Sequence, residues 1–223
     1  MGAYEDAVDV LEIELGGVER TFKELTDDQW RTPTKLRPLD ETQPHWTVFE
    51  LAGHFDISIG LTRMLVAEPR AGQVGRDRVS FFIFPRSEVA PVVYDYAYTM
   101  VEGKTPRQMP DVLHETFSQT IQEARATAPD TVGSGYYALM RLDEFVPSRI
   151  VEAVVHGIDL TDAVGRDSIA TPDGVAATAA ILDELLARRT VAGRPGDLGD
   201  DMAWVRAASG RAEHPDPRLP LIG

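Results

Sequence analysis

The sequence predicts a mainly α-helical protein: an antiparallel four-helix bundle over residues 1–165, followed by a small, mostly helical segment over 166–223. Three observations carry this. Apolar residues recur at alternating spacings of three and four, most regularly as Tyr4, Val8, Leu11, Leu15, Val18, Phe22 and Leu25. Helix-opening patterns stand ahead of such stretches, as in Thr47-Val48-Phe49-Glu50. The connections between them are uneven in length, and antiparallel packing of the helices is the economical way to bury their apolar stripes.

In order, the first stripe predicts a helix over residues 3–24. Thr26-Asp27-Asp28-Gln29 resembles a capping box that opens a short turn through Trp30. Pro33, Pro38 and Pro44 make residues 31–44 a loop that delivers Trp46 to the next helix. That helix carries Val48, Leu51, Ala52, Phe55, Ile59 and Leu65 to about Glu68, with His54 on or beside its buried face. The polar, Gly-rich residues 69–78 read as a surface excursion. Val79-Ser80-Phe81-Phe82-Ile83-Phe84 fits either a short strand or an apolar loop packed on the bundle. Helices follow over about 87–101 and 111–128, the second stopped by Pro129. Tyr94, Tyr96 and Tyr98 are expected in the bundle core or on a pocket wall.

A turn-rich connection with a short extended piece at 136–140 leads into a helix from near Asp143 to Gly165, with Pro147 expected in its first turn. Beyond it, Val175, Ala179, Leu182, Leu185 and Leu186 predict a helix over 172–189. Met202, Trp204 and Val205 predict a shorter one near 198–209. The Pro-rich stretch 214–220 should lie extended on the body.

Composition narrows the function. With 36 acidic against 22 basic residues, the net charge of -14 repels phosphate backbones and anionic lipid surfaces, so neither nucleic acid nor a membrane is an expected partner. No apolar run reaches the roughly 20 residues of a membrane span. The acidic N-terminal stretch lacks a basic-then-apolar signal layout, and a cytoplasmic location is the expectation. The absence of cysteine removes disulfides, thiolate metal ligands and any internal thiol nucleophile. Oligomeric state is not readable from the sequence, and a homodimer is left open.

The chemistry concentrates in Arg149-Ile150-Val151-Glu152-Ala153-Val154-Val155-His156-Gly157-Ile158-Asp159. Glu152 and His156 are four apart and share one helix face. Amid so many apolar neighbours, an unpartnered carboxylate would cost several kcal/mol. A metal ion or a buried hydrogen-bonded pair each meets that demand. His54, from a facing helix, is a candidate third ligand, and two His with one Glu and an open vertex is the composition of a catalytic divalent site. Arg149 and Asp159 flank the pair one turn away on either side and are candidates to orient the ligands. His45, His114 and His214 read as exposed.

These residues resemble a known family. Trp30 with its Pro/Thr stretch, Trp46-Thr47-Val48-Phe49-Glu50-Leu51-Ala52-Gly53-His54, and Arg149 through Asp159 are similar to the mycothiol-dependent maleylpyruvate isomerases. That family belongs to the DinB-like four-helix-bundle superfamily of thiol S-transferases. The resemblance implies a divalent ion, usually zinc, held by His54, Glu152 and His156, with mycothiol or a similar low-molecular-weight thiol as cosubstrate and a small electrophile as its target. It implies either S-transfer or thiol-assisted isomerisation. The isomerases proper draw a substrate-binding arginine from a larger C-terminal domain, and Arg206 or Arg211 is the candidate anchor here. A hydrolase that activates water at the same ion, and a non-catalytic bundle that binds a small ligand, are the competing expectations.

Overall fold

The structure, a computed structural model, describes every residue except Met1, Arg37, Glu41, Tyr137 and Gly223. Among the described residues the chain forms α1 (Ala3–Lys23), α2 (Val48–Ala67), α3 (Arg86–Val101), α4 (Met109–Ala126), α5 (Leu142–Val164), α6 (Pro172–Arg189) and α7 (Asp201–Ala208). A single antiparallel hairpin, β1 (Val132–Ser134) and β2 (Leu139–Arg141), precedes α5. Among the described residues no helix is long and apolar enough to cross a membrane.

The bundle is a ring of four. α1 and α2 each pack against both α4 and α5, while α3 stands outside the ring against α2. The stripe on α1 does this work: Val8, Leu11, Leu15, Val18 and Phe22 are all buried. α2 opens on Thr47, whose hydroxyl accepts from Phe49 N at 3.2 Å while Glu50 Oε2 accepts from Thr47 N at 2.8 Å. α5 is buried around most of its girth because α1, α2 and α6 all cover it. It ends at Gly165, whose φ of +67° only glycine adopts without strain. The helix begins at Leu142, so Pro147 lies in the helix interior and not in the first turn as expected; its missing N–H removes one backbone bond from the second turn.

Ser80–Phe82 forms a 3-10 turn with Phe81 and Phe82 buried against the core, which decides for the packed apolar loop over the strand. Of the extended piece foreseen at 136–140, only Leu139 and Met140 belong to a strand, β2, paired with β1; Tyr137 lies outside the described residues. Residues 166–222 fold back onto the bundle. Buried Glu14 of α1 accepts from Thr171 N at the head of α6 (2.9 Å), and Leu221 N returns to Ala208 O (2.7 Å) at the end of α7. His214 was expected to be exposed; its side chain is only 11% exposed, because the tail tucks it against Asp197 at 3.3 Å.

Gly53 sets the position of α3. A Cβ there would stand 2.5 Å from Ala97 O and 2.9 Å from Val101 Cγ1. Gly53→Ala is therefore expected to force α3 away from α2 at a cost of about 1–3 kcal/mol, lowering Tm by about 2–12 °C for a chain of this size. Calorimetry of the variant checks this, and an unchanged Tm would show that the close approach carries no load.

Candidate metal centre

α2 and α5 face each other across the ring, and their inward polar residues meet. His54 Nε2 lies 3.1 Å from His156 Nε2 and 3.4 Å from Glu152 Oε2. His156 Nε2 is 3.4 Å from that same oxygen. Among the described residues this trio is the one cluster of His, Asp or Glu whose ligand atoms converge closely enough to hold a metal ion. Vertices of a tetrahedron about 2.0–2.1 Å from a central ion are about 3.3–3.4 Å apart, close to the spacings here.

The proton inventory also fits a cation. His156 Nδ1 sits 2.8 Å from Asp159 Oδ2, which places the ring proton there and leaves Nε2 a lone pair. Glu152 adds a second acceptor. With His156 neutral, a single proton on His54 Nε2 would have to serve both, whereas a cation takes all three lone pairs at once. Nδ1 of His54 is buried without a partner in either case. Its ring lies tilted against that of Trp46, centroid to centroid 5.2 Å.

Electrostatics point the same way. Burial would push the Glu152 carboxyl up, but the two imidazoles and Arg149 outweigh it and hold it well below the usual range. Burial and the neighbouring His156 push His54 down, so that it is a neutral donor of electrons. Burial also presses His156 downward, yet Asp159 and Glu152 together raise it, the mark of a spot that attracts positive charge.

The flanking candidates divide. Asp159 is 4% exposed and accepts two bonds from Arg211, Nε to Oδ1 at 2.9 Å and Nη2 to Oδ2 at 2.6 Å. Despite burial, Arg211 and His156 bring its carboxyl down to about 2. Arg149 touches none of the trio. It is 1% exposed, donates to Ser58 O (2.8 Å) and Ser148 Oγ (3.2 and 3.1 Å), and lies between the rings of Phe81 and Phe145 at 4.6 and 4.5 Å. Desolvation lowers it to about 10, partly offset by Glu152, for which it supplies a charge at a distance. Arg206 grips Asp162 with two bonds, 3.0 and 2.9 Å. Neither Arg206 nor Arg211 presents an unpaired guanidinium.

A cavity of about 900 Å³ opens beside the trio. Trp46, Phe81, Phe82 and Tyr94 contribute to its wall, as do Pro220 and Ile222 from the returning tail. Tyr94 and Tyr96 are wall residues, while Tyr98 braces Tyr94 through a 3.2 Å hydroxyl contact. His45 and His114 are exposed as expected, though His45 stands on the cavity rim. The tail and loop contributions carried no spacing signal in the sequence. Asp162, one turn beyond Asp159, did.

Fold and site together define a helical-bundle protein with a histidine and glutamate triad able to hold a metal, set beside a large cavity. The chain belongs to the mycothiol maleylpyruvate isomerase N-terminal domain family, which it matches over residues 11–161. The family name links it to an enzyme of mycothiol chemistry. No curated protein and no solved structure matches the chain.

Proposed function

We propose that this protein is a metal-dependent enzyme, most simply a zinc enzyme, that activates a mycothiol-like thiol and transfers its sulfur to a small electrophile. The observation that carries this reading is the convergence of His54 Nε2, Glu152 Oε2 and His156 Nε2 beside an open cavity. His54, Glu152 and His156 would hold a divalent ion, which would supply the lowered thiol pKa that makes a bound sulfur a thiolate at neutral pH. The chain itself supplies the rest. Asp159 keeps the His156 proton on Nδ1, and Arg149 keeps Glu152 ionised. The aromatic wall excludes water from the reacting carbon. With no cysteine in the chain, the sulfur has to arrive on a cosubstrate. S-transfer is favoured over isomerisation of a diacid because both candidate anchors, Arg206 and Arg211, are committed to aspartates.

The test is a metal analysis of the purified protein together with an assay run with and without thiol. One ion per chain and thiol-dependent loss of the electrophile are expected. Turnover without thiol would assign a hydrolase, and an absent ion would leave a silent bundle. Removal of the ion should also destabilise the fold. At a free ion concentration a thousand times its Kd, binding contributes about 4 kcal/mol, so chelation should lower Tm by about 8–16 °C and zinc should restore it.

A further inference from the structure

The wall of the cavity carries information about the electrophile beyond the thiol chemistry. Four cations among the described residues line it: Lys35, Arg86, Arg149 and Arg211. Three are engaged. Lys35 lies 3.6 Å from Asp162, Arg211 is bound to Asp159, and Arg149 is sealed between two phenylalanine rings and bonded to serine oxygens. Of the four, Arg86 alone has neither an ion pair nor a side-chain hydrogen bond, and it is an exposed residue at the start of α3. Exposed Glu213 adds an acidic group on the tail side. The chain as a whole carries a net charge of -14.

A small dianion would approach against that field and find, among the described residues, no buried, open guanidinium to replace its hydration shell. The rest of the wall offers aromatic and aliphatic surface. Phe81 and Phe82 come from the turn before α3, Val89 and Val93 from α3 itself, and Leu61 from α2. Trp46 and Tyr94 stack at 6.1 Å and continue that surface up to His54.

Resting on the thiol-transfer reading above, we infer that the electrophile is an uncharged compound with an aromatic or branched alkyl body, seated between α3 and the Phe81–Phe82 turn. It is not a small dicarboxylate. For an alkyl halide of this kind, the sulfur of the thiolate forms a C–S bond as the carbon–halogen bond breaks. The halide leaves with the electron pair, and the thiol proton passes to the buffer.

Two matched bromides test the inference. Benzyl bromide is neutral and apolar, while bromosuccinate is a small dianion with the same leaving group. With the metal-loaded protein and thiol, kcat/KM for benzyl bromide, corrected for the uncatalysed rates, should exceed that for bromosuccinate by about 100-fold. Val93→Arg, which places a cation on the half-buried inner side of α3, should narrow or reverse this preference at unchanged metal content. A second readout needs neither ion nor thiol. Calorimetric titration of the chelated protein should detect 2-naphthylmethanol and not succinate. Preference for bromosuccinate, or binding of succinate alone, overturns the inference. If neither bromide is consumed but naphthylmethanol binds, the thiol-transfer reading falls and the class of the cavity's ligand stands. If nothing binds, the inference falls as well.

Discussion

Replacing His156 by alanine is expected to strip the protein of its stoichiometric ion and cut thiol-dependent turnover by about a thousandfold or more, with helix content unchanged. The magnitude follows from the several kcal/mol that an ion contributes to a charged transition state, at tenfold in rate for each 1.4 kcal/mol. His156 is the right residue to remove because its ring touches both other members of the trio. Its side chain lines the open cavity, so truncation widens that cavity and does not leave a sealed void. His54→Ala would confound the result, since it also removes the ring that packs against Trp46. Glu152→Gln would leave buried Arg149 without its compensating charge. Elemental analysis and circular dichroism of His156→Ala read the two halves of the expectation. One ion per chain retained in a folded variant would place the metal elsewhere and remove the basis of the proposed chemistry.

How much of this was legible in the sequence depended on whether the signal was local. The helices of the ring were, because α1 and α4 carry apolar stripes and α2 a capping box that state their boundaries within a few residues. Glu152 and His156 were legible as a pair because four residues is one helical turn. That His54 joins them depends on α2 packing across from α5, which no local pattern states; the residues alone offered His54 as a candidate from a facing helix, and the family resemblance added to it. The standing of α3 outside the ring was also hidden. Its spacing resembles that of the other helices, but only its last turns, with Ala97 and Val101, close on Gly53 of α2, while Val89 and Val93 on the preceding turns line a cavity. Pro147 misled because proline favours a first turn by propensity, while the packing of α5 against three neighbours outweighs one lost backbone bond. The pairing of Arg211 with Asp159 spans 52 residues. A sequence reading sees only an arginine available to bind substrate.

That pairing yields the second large effect. Arg211 lies beyond the matched family region, yet its guanidinium clamps the carboxylate that fixes His156, and a third bond to Ser209 O at 2.6 Å ties the clamp to the end of α7. Arg211→Ala is expected to weaken divalent-ion binding about 10–100-fold, the usual range for loss of a group that orients a ligand. Because the trio itself is intact, saturating metal should restore one ion per chain and most of kcat. Arg211→Lys should recover only part of the affinity, since an ammonium cannot reproduce the two-pronged grip. Asp159→Asn should weaken the ion similarly, and the double variant should be little worse than either single one, because both changes break the same chain of contacts. A substrate anchor would behave differently. It would raise KM for the electrophile and leave metal affinity alone. Competition of each variant against a chelator of known affinity, alongside KM for the electrophile, separates the two roles. Unchanged metal affinity in Arg211→Ala would return this arginine to the substrate.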